Sequence, residues 1–380
     1  MALPRIEADV VIIGAGPAGA CAALSLLTYS SLKVVLLEQS DFSQLRVGEH
    51  VSDSLFALLD YLKLSKTDFP EGSFMPCYGD TAYWGSAIPR ERHSIFNSEN
   101  ASVQLARELF DFTLLEHILA RGGTIYPRTQ SKAQPLLDSA GWLLDCTHPE
   151  KAPFQIQARY LIDASGRNST LCRQQGGKVH KLDQLMGAGC FFSCPGHGSQ
   201  LQQHIIESCE DGWWYGALLP NQGYVATFFS DVDIISQQRL NQRQHWLTRL
   251  QQSRQLKYQL QGCTMLSKHP WVRNASSHYS DSSAISRYIA IGDAACAFDP
   301  ISSMGLGFAI TSACHAARLV MAELAQLSTT PSQSSSSARQ LFQQDLRNHF
   351  SAFKQLRQKF YQAESRWTEA PFWQRRQALA

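Results

Sequence analysis

The sequence has no apolar run near the roughly 20 residues that span a bilayer, so we expect no membrane segment. Its 34 Lys and Arg residues nearly balance its 32 Asp and Glu residues, and no basic run precedes the C-terminus. A nucleic-acid partner is therefore not expected. Because residues 2–5 pass directly into an apolar strand pattern, we expect a cytoplasmic protein.

The ten cysteines include no C-x-x-C pair, and most of them lie among apolar or small residues. We expect most to be reduced and buried as small apolar side chains. Cys190, Cys194 and His197 have a spacing that metal ligands can have, but they lack a convincing fourth ligand and fall in a strand pattern. The sequence therefore predicts no metal site.

A glycine motif follows the first predicted strand and opens a helix, in the order G-x-G-x-x-G. Gly14 permits a tight turn, Gly16 lets the backbone approach a pyrophosphate, and Gly19 lets the helix pack on the sheet. The helix N-terminus favours the negative charge of that pyrophosphate. Glu38 ends the second strand, where an acid binds ribose hydroxyls. The predicted dinucleotide-binding residues here are Gly14, Gly16, Pro17, Ala18, Gly19, Glu38 and Gln39.

Two later strands also end in polar clusters. Asp163 closes one strand in the sequence LIDASGR, and Gly292 and Asp293 close another in YIAIGDAA. In an open parallel sheet, ligands lie beyond the carboxyl ends of the strands. Three such ends favour an extended ligand, FAD, over one nicotinamide nucleotide, and add Asp163, Gly292 and Asp293 to the predicted cofactor-binding residues.

Together with Arg107 in LARELFDF and the sequence R-V-G-E from Arg46, these motifs resemble the FAD-dependent monooxygenase and halogenase superfamily, which has the hydroxybenzoate-hydroxylase fold. The resemblance implies that Asp293 hydrogen-bonds the ribityl chain and that Arg107 and Arg46 reach the ribityl or phosphate region. It also implies that Asp299 and Pro300 turn the chain before a helix N-terminus that faces the isoalloxazine. The residues predicted to contact the cofactor there are Pro300, Ser303, Met304, Gly305, Leu306 and Gly307.

The fold class implied is α/β, with a Rossmann-like FAD-binding domain, an inserted antiparallel β-sheet substrate domain and C-terminal helices. Alternating apolar residues support the inserted sheet. The predicted FAD-binding domain comprises residues 1–75, 100–175 and 280–327, and the substrate domain comprises 76–99 and 176–279. A Ser-rich linker, 328–339, and a helical tail, 340–380, complete the chain.

One aromatic strand is similar to the W-x-W-x-I-P pattern of tryptophan halogenases, but carries Tyr215 and Leu219 in that pattern. The predicted substrate-contacting residues are Trp84, Trp213, Trp214 and Tyr215; packing in the core is the alternative for the last three. No lysine lies between Lys66 and Lys132, where that family carries its relay lysine, so oxygen transfer from dioxygen is favoured over halogenation. Glu49 and His50 are the candidate catalytic residues, with a structural role as the alternative.

The tail sequence RQKFYQAESRWTEAPFWQRRQALA resembles that of flavoproteins that mature cysteine tryptophylquinone enzymes. This resemblance implies a protein partner, the precursor of a quinone-bearing amino-acid oxidase, in which a tryptophan is hydroxylated. Two alternatives remain open: an FAD-dependent hydroxylase or halogenase-like oxidoreductase of a free aromatic molecule, and a flavin-binding chaperone. Because no second glycine-rich βαβ unit is present, NAD(P)H would act only as a transient electron donor.

Overall fold

A computed structural model describes residues 3–43, 46–47, 50–77, 79–93, 102–136, 141–195, 203–219, 223–325 and 334–378. The strands are β1 (Arg5–Ile13), β2 (Val34–Leu37), β3 (His50–Val51), β4 (Phe74–Cys77), β5 (Gly79–Tyr83), β6 (Arg90–His93), β7 (Ser102–Leu105), β8 (Thr124–Tyr126), β9 (Gln130–Pro135), β10 (Trp142–Thr147), β11 (Phe154–Asp163), β12 (Lys178–Lys181), β13 (Leu185–Ser193), β14 (Gln203–Cys209), β15 (Gly212–Leu219), β16 (Gly223–Asp231), β17 (Thr264–Met265), β18 (Trp271–Asn274), β19 (His278–Asp281), β20 (Tyr288–Ala290) and β21 (Cys296–Ala297).

The α-helices are α1 (Pro17–Tyr29), α2 (Ser54–Tyr61), α3 (Arg107–Ala120), α4 (Thr170–Gln174), α5 (Val232–Gln237), α6 (Arg243–Gln251), α7 (Leu256–Gln259), α8 (Gly305–Ala325), α9 (Ser334–Gln362) and α10 (Pro371–Gln377). Short 3-10 turns occupy Lys66–Asp68, Gly292–Ala294 and Pro300–Ser302. The predicted α/β class with C-terminal helices is confirmed.

The first large sheet has the strand order β8-β2-β1-β11-β10-β9, and β20 also pairs with β11. Strands β8, β2, β1, β11 and β20 run parallel, and their register sets Leu37 beside Ile13, Ile13 beside Asp163, and Asp163 beside Ala290. The second half of β1, residues 10–13, and all of β2 are apolar and almost entirely buried, as expected for parallel strands that are covered on both faces. The predicted convergence of strand ends at one edge is therefore confirmed.

The second large sheet has the order β17-β13-β16-β15-β14-β5-β6, and β18 pairs with β13. Its strands pair antiparallel except for β14 with β5. β15 and β16 alternate their side chains between two apolar clusters, which explains why neither face is polar. A small sheet has the order β3-β7-β4. Its strands lie at the points where the chain passes from one large sheet to the other.

The C-terminal part differs from the prediction at the linker. α9 begins at Ser334, so the second half of the predicted linker, 334–339, is helical, while 328–333 lie outside the described residues. Serine is a modest helix former, but Phe342, Leu346 and Phe353 bury one face of α9 against the core of the first sheet. Tertiary packing therefore extends the helix beyond the boundary that composition suggests.

α8 is an apolar helix whose length bears on the expectation that the chain has no membrane segment. Within the described part of the chain it is the one helix whose length and composition would allow a membrane crossing, with a mean hydropathy of 1.2. However, 56% of that window is buried inside the protein, and α8 packs against α1 and α9. This burial is that of a core helix.

Cys194, considered above as a metal ligand, forms a disulfide with Cys263. The other eight cysteines are free and seven of them are buried, as predicted. His197 lies outside the described residues. Disulfides are rare in cytosolic proteins, and the cytoplasmic location stays a prediction.

Candidate functional site

In the loop between β1 and α1, one glycine has room for a side chain and the other two do not. A Cβ on Gly14, whose φ is +106°, would lie 2.2 Å from the Ala164 carbonyl oxygen, and a Cβ on Gly19 would lie 1.9 Å from the Gly14 oxygen. A Cβ on Gly16 would meet nothing within 4 Å. Gly16 caps α1 without a side chain, and Pro17 starts the helix. The loop thus combines a tight turn with an open helix N-terminus, the arrangement that accommodates a pyrophosphate.

Glu38 joins this loop to the end of β2. Its Oε2 accepts a hydrogen bond from the Ala15 N–H at 2.8 Å, and its Oε1 accepts one from the Ser40 N–H at 2.8 Å. A carboxylate retains further acceptor capacity for ribose hydroxyls. Beside it lies a cavity of about 530 Å³, lined by Gln39, Ser40 and Arg128 among others. Glu38 and Gln39 therefore lie where the sequence predicts the ribose.

A basic cluster forms near the start of α3. Arg46 and Arg107 both form ion pairs with Asp111. Arg107 donates a hydrogen bond from Nε to Asp111 Oδ1 at 3.1 Å and another from Nη2 to Oδ2 at 3.0 Å. Arg273, on β18, is the third member of the cluster. Burial lowers the pKa of its guanidinium group, and the positive charges of the nearby Arg46 and Arg107 lower it further. Two guanidinium groups that share one carboxylate, with a third guanidinium group near them, suit a phosphate-bearing cofactor. Sequence analysis missed Arg273, since no motif marks it.

The two acids at the strand ends differ in accessibility. Asp163 is fully buried: Oδ1 accepts from the Ser165 N–H at 2.9 Å, and Oδ2 accepts from the Tyr288 hydroxyl at 2.5 Å. Burial also raises its pKa. The prediction that Asp163 binds the cofactor is therefore corrected, because its oxygens hold strand ends together. The side chain of Asp293 is 32% exposed, and its Oδ2 accepts a hydrogen bond at 3.1 Å from the Nε of Arg167, the arginine of the LIDASGR motif, which was not among the predicted site residues.

The chain turns before α8 as predicted. Asp299 caps the turn by accepting a hydrogen bond from the Ile301 N–H at 3.1 Å. Cβ atoms on Gly305 or Gly307 would meet nothing within 4 Å, so open space lies over the start of α8. Leu306 is buried in the core, so only its backbone can face a ligand there. Of the remaining predicted cofactor residues, Ser303 is exposed, Pro300 and Met304 are partly exposed, and Ala18 and Gly292 are buried.

Two of the predicted substrate residues belong to the core instead. Trp214 packs against Trp246 beneath the helices of the second sheet. Trp213 stacks on Phe229 at 4.3 Å between ring centroids, and its Nε1 donates to the Tyr361 hydroxyl at 3.2 Å. Both indoles are almost fully buried, so the prediction that they contact substrate is wrong.

Trp84 is likewise attached to the C-terminal helices. Its Nε1 donates to the Phe360 carbonyl oxygen at 2.7 Å, and its ring lies 5.4 Å from that of Trp373. Alternation along β15 points Trp213 and Tyr215 to one face and Trp214 to the other. The sequence alone could not show which helices cover each face.

Tyr215 remains half-buried beside the basic cluster. Tyr215, Val47, Leu219 and Trp271 all pack against the buried side chains of Phe191, Ala217 and Val225, and we call these four partly buried residues the aromatic face. Val47 follows Arg46, and the guanidinium of Arg273 lies 5.2 Å from the Trp271 ring centroid. The aromatic face therefore adjoins the predicted cofactor region. Trp271 was not predicted as a site residue, although it lies within the predicted substrate domain, 176–279.

Of the two candidate catalytic residues, Glu49 lies outside the described residues and His50 lies in an unpredicted cluster with Cys77, Asp80 and His204. Burial alone would raise the pKa of the Cys77 thiol, but hydrogen bonds from His204 and His50 lower it to about 6. Burial would lower the pKa of His204, but Asp80 and Cys77 raise it to about 9. Cys77 and His204 are 127 residues apart, so no spacing pattern could reveal them.

Comparison with known proteins places this geometry in a family. The family described as FAD binding domain matches residues 7–346. A relative from Marinomonas mediterranea, named as the FAD-dependent oxidoreductase LodB, is 41% identical over 372 residues, covering 98% of this chain and 97% of LodB. The flavin-dependent halogenase armH2 of Armillaria mellea is 30% identical over 178 residues, covering 43% of this chain and 32% of armH2.

Solved structures share the fold. The myxobacterial chondrochloren halogenase CndH superposes with a TM-score of 0.82 at 21% identity, covering 97% of this chain and 86% of CndH. The peptidyl tryptophan dihydroxylase QhpG, essential for tryptophylquinone cofactor biogenesis, superposes with a TM-score of 0.68 at 22% identity, covering 98% of this chain and 79% of QhpG. The chain belongs to the FAD binding domain family and is an FAD-dependent oxidoreductase with the fold of the flavin-dependent halogenases and hydroxylases.

Proposed function

We propose that this chain is an FAD-dependent monooxygenase that hydroxylates a tryptophan side chain in a precursor protein, during biogenesis of a cysteine tryptophylquinone cofactor. The observation that carries the proposal is the aromatic face, half-buried and adjoining the basic cluster at Arg46, Arg107 and Arg273. An indole is large, flat and apolar, so an aromatic surface favours its binding. Bound FAD would supply the reduction of dioxygen and the transfer of one oxygen atom.

The residues of the chain would bind and orient the reactants. The open space at Gly16 and the N-terminus of α1 fit the pyrophosphate, and the basic cluster offsets its charge. The open space over Gly305 and Gly307 lets a flat ring approach the first N–H groups of α8. Tyr215 and Trp271 would hold the indole and exclude water from it.

Two observations favour oxygen transfer to a protein over halogenation of a free molecule. No lysine occurs from residue 67 to residue 131, the region in which the relay lysine of halogenases is expected. QhpG, which shares this fold, acts on a peptidyl tryptophan, and LodB matches nearly the whole chain. The proposed partner is the precursor of a quinone-bearing amino-acid oxidase, with NAD(P)H as transient electron donor and dioxygen as co-substrate.

The test combines the FAD-loaded chain, NADH or NADPH, air and the purified oxidase precursor. We expect peptide mass spectrometry to find a gain of at least one oxygen atom on a tryptophan. Tyr215→Ala should lower the yield by about tenfold or more, because a misplaced reactant loses rate steeply. Tyr258→Ala, at an exposed tyrosine of α7, is the matched control and should leave the yield unchanged.

The other outcomes separate the alternatives. Oxidation or halogenation of free aromatic molecules, with an unmodified precursor, would identify a small-molecule enzyme. A stable complex with the precursor, together with no mass change under reducing equivalents and air, would identify a chaperone. Either result contradicts the proposal.

A further inference from the structure

Four side chains from four strands meet where the small sheet β3-β7-β4 approaches β5 and β14. His50, Cys77, Asp80 and His204 each offer one donor atom, and these four atoms all lie within 4.8 Å of one another. His204 Nδ1 is 2.9 Å from Asp80 Oδ1 and 3.4 Å from Cys77 Sγ. Cys77 and His204 are buried, whereas the side chain of Asp80 is 44% exposed.

Backbone register brings the four together independently of side-chain rotation. Asp80 and His204 are direct partners between β5 and β14. On the small sheet, Cys77 pairs with Ser102 and His50 pairs with Gln104. Because Ser102 and Gln104 are two residues apart on β7, their side chains lie on one face. The donors therefore converge from both sheets.

Both imidazoles are oriented by side chains of β7. His204 Nε2 is 2.7 Å from Gln104 Oε1, an arrangement in which Nε2–H donates and Nδ1 faces Cys77 and Asp80. His50 Nε2 bonds the Ser102 hydroxyl, which leaves Nδ1 as its remaining ring nitrogen. Metal-binding histidines in proteins are held in this way, with the second ring nitrogen bonded to a neighbouring oxygen.

We propose that His50, Cys77, Asp80 and His204 bind one divalent transition-metal ion, with Zn²⁺ the best fit to the donor set. Two imidazoles, one thiolate and one carboxylate are the ligand types that Zn²⁺ takes in four-coordinate sites. The thiolate disfavours Mg²⁺ and Ca²⁺, which prefer oxygen donors. The partly exposed Asp80 gives the ion a route from solvent.

The position of the site suggests what the ion does. Cys77 and His50 belong to strands that pair with β7, directly before α3, whereas Asp80 and His204 belong to the sheet that carries Tyr215. The His204 ring stacks on that of Tyr215 at 6.0 Å between centroids. The ion would therefore join the sheet of the aromatic face to the small sheet β3-β7-β4, which leads into α3. This inference does not depend on the proposed tryptophan substrate.

The test measures metal directly on the full-length, FAD-loaded chain. We expect about one Zn²⁺ per chain by elemental mass spectrometry after growth with added zinc. After chelation, added Co²⁺ should produce a thiolate-to-cobalt charge-transfer band, and Zn²⁺ should suppress it. Zn²⁺ should also raise the melting temperature.

Variants at the ligands and elsewhere make the result specific. Cys77→Ala should lose the metal and the cobalt band, while Cys314→Ala, at a free buried cysteine outside the cluster, should retain both. Asp80→Asn changes a partly exposed group without changing its size, and should lower Zn²⁺ affinity by at least about tenfold even if Cys77→Ala fails to fold.

The proposal is overturned if the wild-type chain takes up no Zn²⁺ or Co²⁺, or if Asp80→Asn and Cys77→Ala bind as much metal as Cys314→Ala. It is also overturned if Cys77 is alkylated at the same rate with and without saturating Zn²⁺. The last result would instead identify a metal-free pair of Cys77 and His204.

Discussion

Two regions that flank the predicted flavin site are built in opposite ways. The loop at Gly14–Gly19 is six consecutive residues, whose shape follows from where a Cβ can and cannot fit. The other region, which we call the C-terminal clasp, consists of Arg357, Tyr361, Glu364, Arg375 and Arg376 together with their partners Asp299, Asp183 and Asp231. These residues are distant from one another in sequence. Oδ2 of Asp299 accepts from Arg357 Nε at 3.2 Å and from the Tyr361 hydroxyl at 2.8 Å.

The difference separates a local device from a long-range one. The loop depends on glycines in a fixed order between a strand and a helix that are adjacent in sequence, so its signal is local. The clasp depends on buried ion pairs, because Arg357 also reaches Asp183 Oδ2 at 3.1 Å. Since Asp299 caps the turn that leads to α8, the clasp holds the segment predicted to face the flavin.

The largest expected effect distinguishes a glycine of the loop that is needed for packing, Gly19, from one that is open for binding, Gly16. Gly19→Ala places a Cβ against the Gly14 oxygen and should lower the free energy of unfolding by about 5 kcal/mol, the upper end for a single substitution. Gly16→Ala meets open space, so it should melt within a few degrees of wild type yet lose FAD. Thermal melts and flavin absorbance of the two purified variants provide the measurement. Equal destabilisation by both substitutions would contradict this division.

Breaking the clasp at its centre should have the next largest effect. Arg357→Met leaves the buried carboxylates of Asp299 and Asp183 without their guanidinium, so we expect a loss of about 4 kcal/mol in the free energy of unfolding. Urea denaturation measures it. Lys354→Met, on an exposed position of the same helix, is the control. A loss below about 1 kcal/mol at Arg357 would show that the clasp contributes no more than a surface pair.

These two regions also show how far the sequence could lead. Glycine order, apolar strands and acids at strand ends are local signals, so the FAD fold and the loop were predicted correctly. The start of α9 was not, because the packing of Phe342 and Leu346 overrides a weak helix propensity. The alternation of side chains along β15 places Trp213 and Trp214 on opposite faces of the sheet. It could not show that α10 covers Trp213 and that α6 covers Trp214.

The remaining site residues depend on pairings between distant segments. Nothing near Cys77 in the sequence indicates His204, and nothing near Cys194 indicates Cys263. Asp163 follows the expected motif, yet the hydroxyl of Tyr288, on a strand more than a hundred residues later, occupies its oxygen. Residue type and position thus predicted the edge of the sheet, while tertiary contacts decided which side chains a ligand can reach.

A smaller effect at the edge of the clasp depends on pH. Glu364 accepts hydrogen bonds from the Gly85 N–H, the Ser208 hydroxyl and Arg366. Burial alone would raise its pKa, but Arg366 and Ser208 lower it to about 2. The lowered pKa makes the stabilisation complete above about pH 5, and it is lost as the pH falls towards 2. The full contribution is roughly 3 kcal/mol.

Denaturation at a series of pH values tests this contribution. Glu364→Gln should make the decline in stability between about pH 5 and pH 2 measurably smaller than that of wild type, because one carboxyl group with a lowered pKa is removed. Glu369→Gln, at an exposed glutamate of the same segment, should leave the decline as it is. If Glu364→Gln and wild type lose stability in parallel, another carboxyl group is responsible.

The smallest expected effect lies at the surface of the same region, where two neighbouring arginines share Asp231. Arg376 is buried and reaches Asp231 Oδ1 at 2.7 Å, whereas Arg375 is 47% exposed and reaches Asp231 Oδ2 at 2.9 Å and Asp233 Oδ2 at 2.7 Å. Arg375→Ala should cost less than about 1 kcal/mol, because Arg376 still neutralises Asp231 and solvent screens the exposed pair. Added salt should lower the cost of Arg375→Ala further.

Arg376→Ala should cost several times more than Arg375→Ala, and its cost should respond little to salt, since the ion pair of Arg376 is removed from solvent. A salt series of urea denaturation on both variants therefore tests whether the clasp is held by its buried ion pairs. Equal costs for the two substitutions would show that exposure does not set the contribution of each arginine.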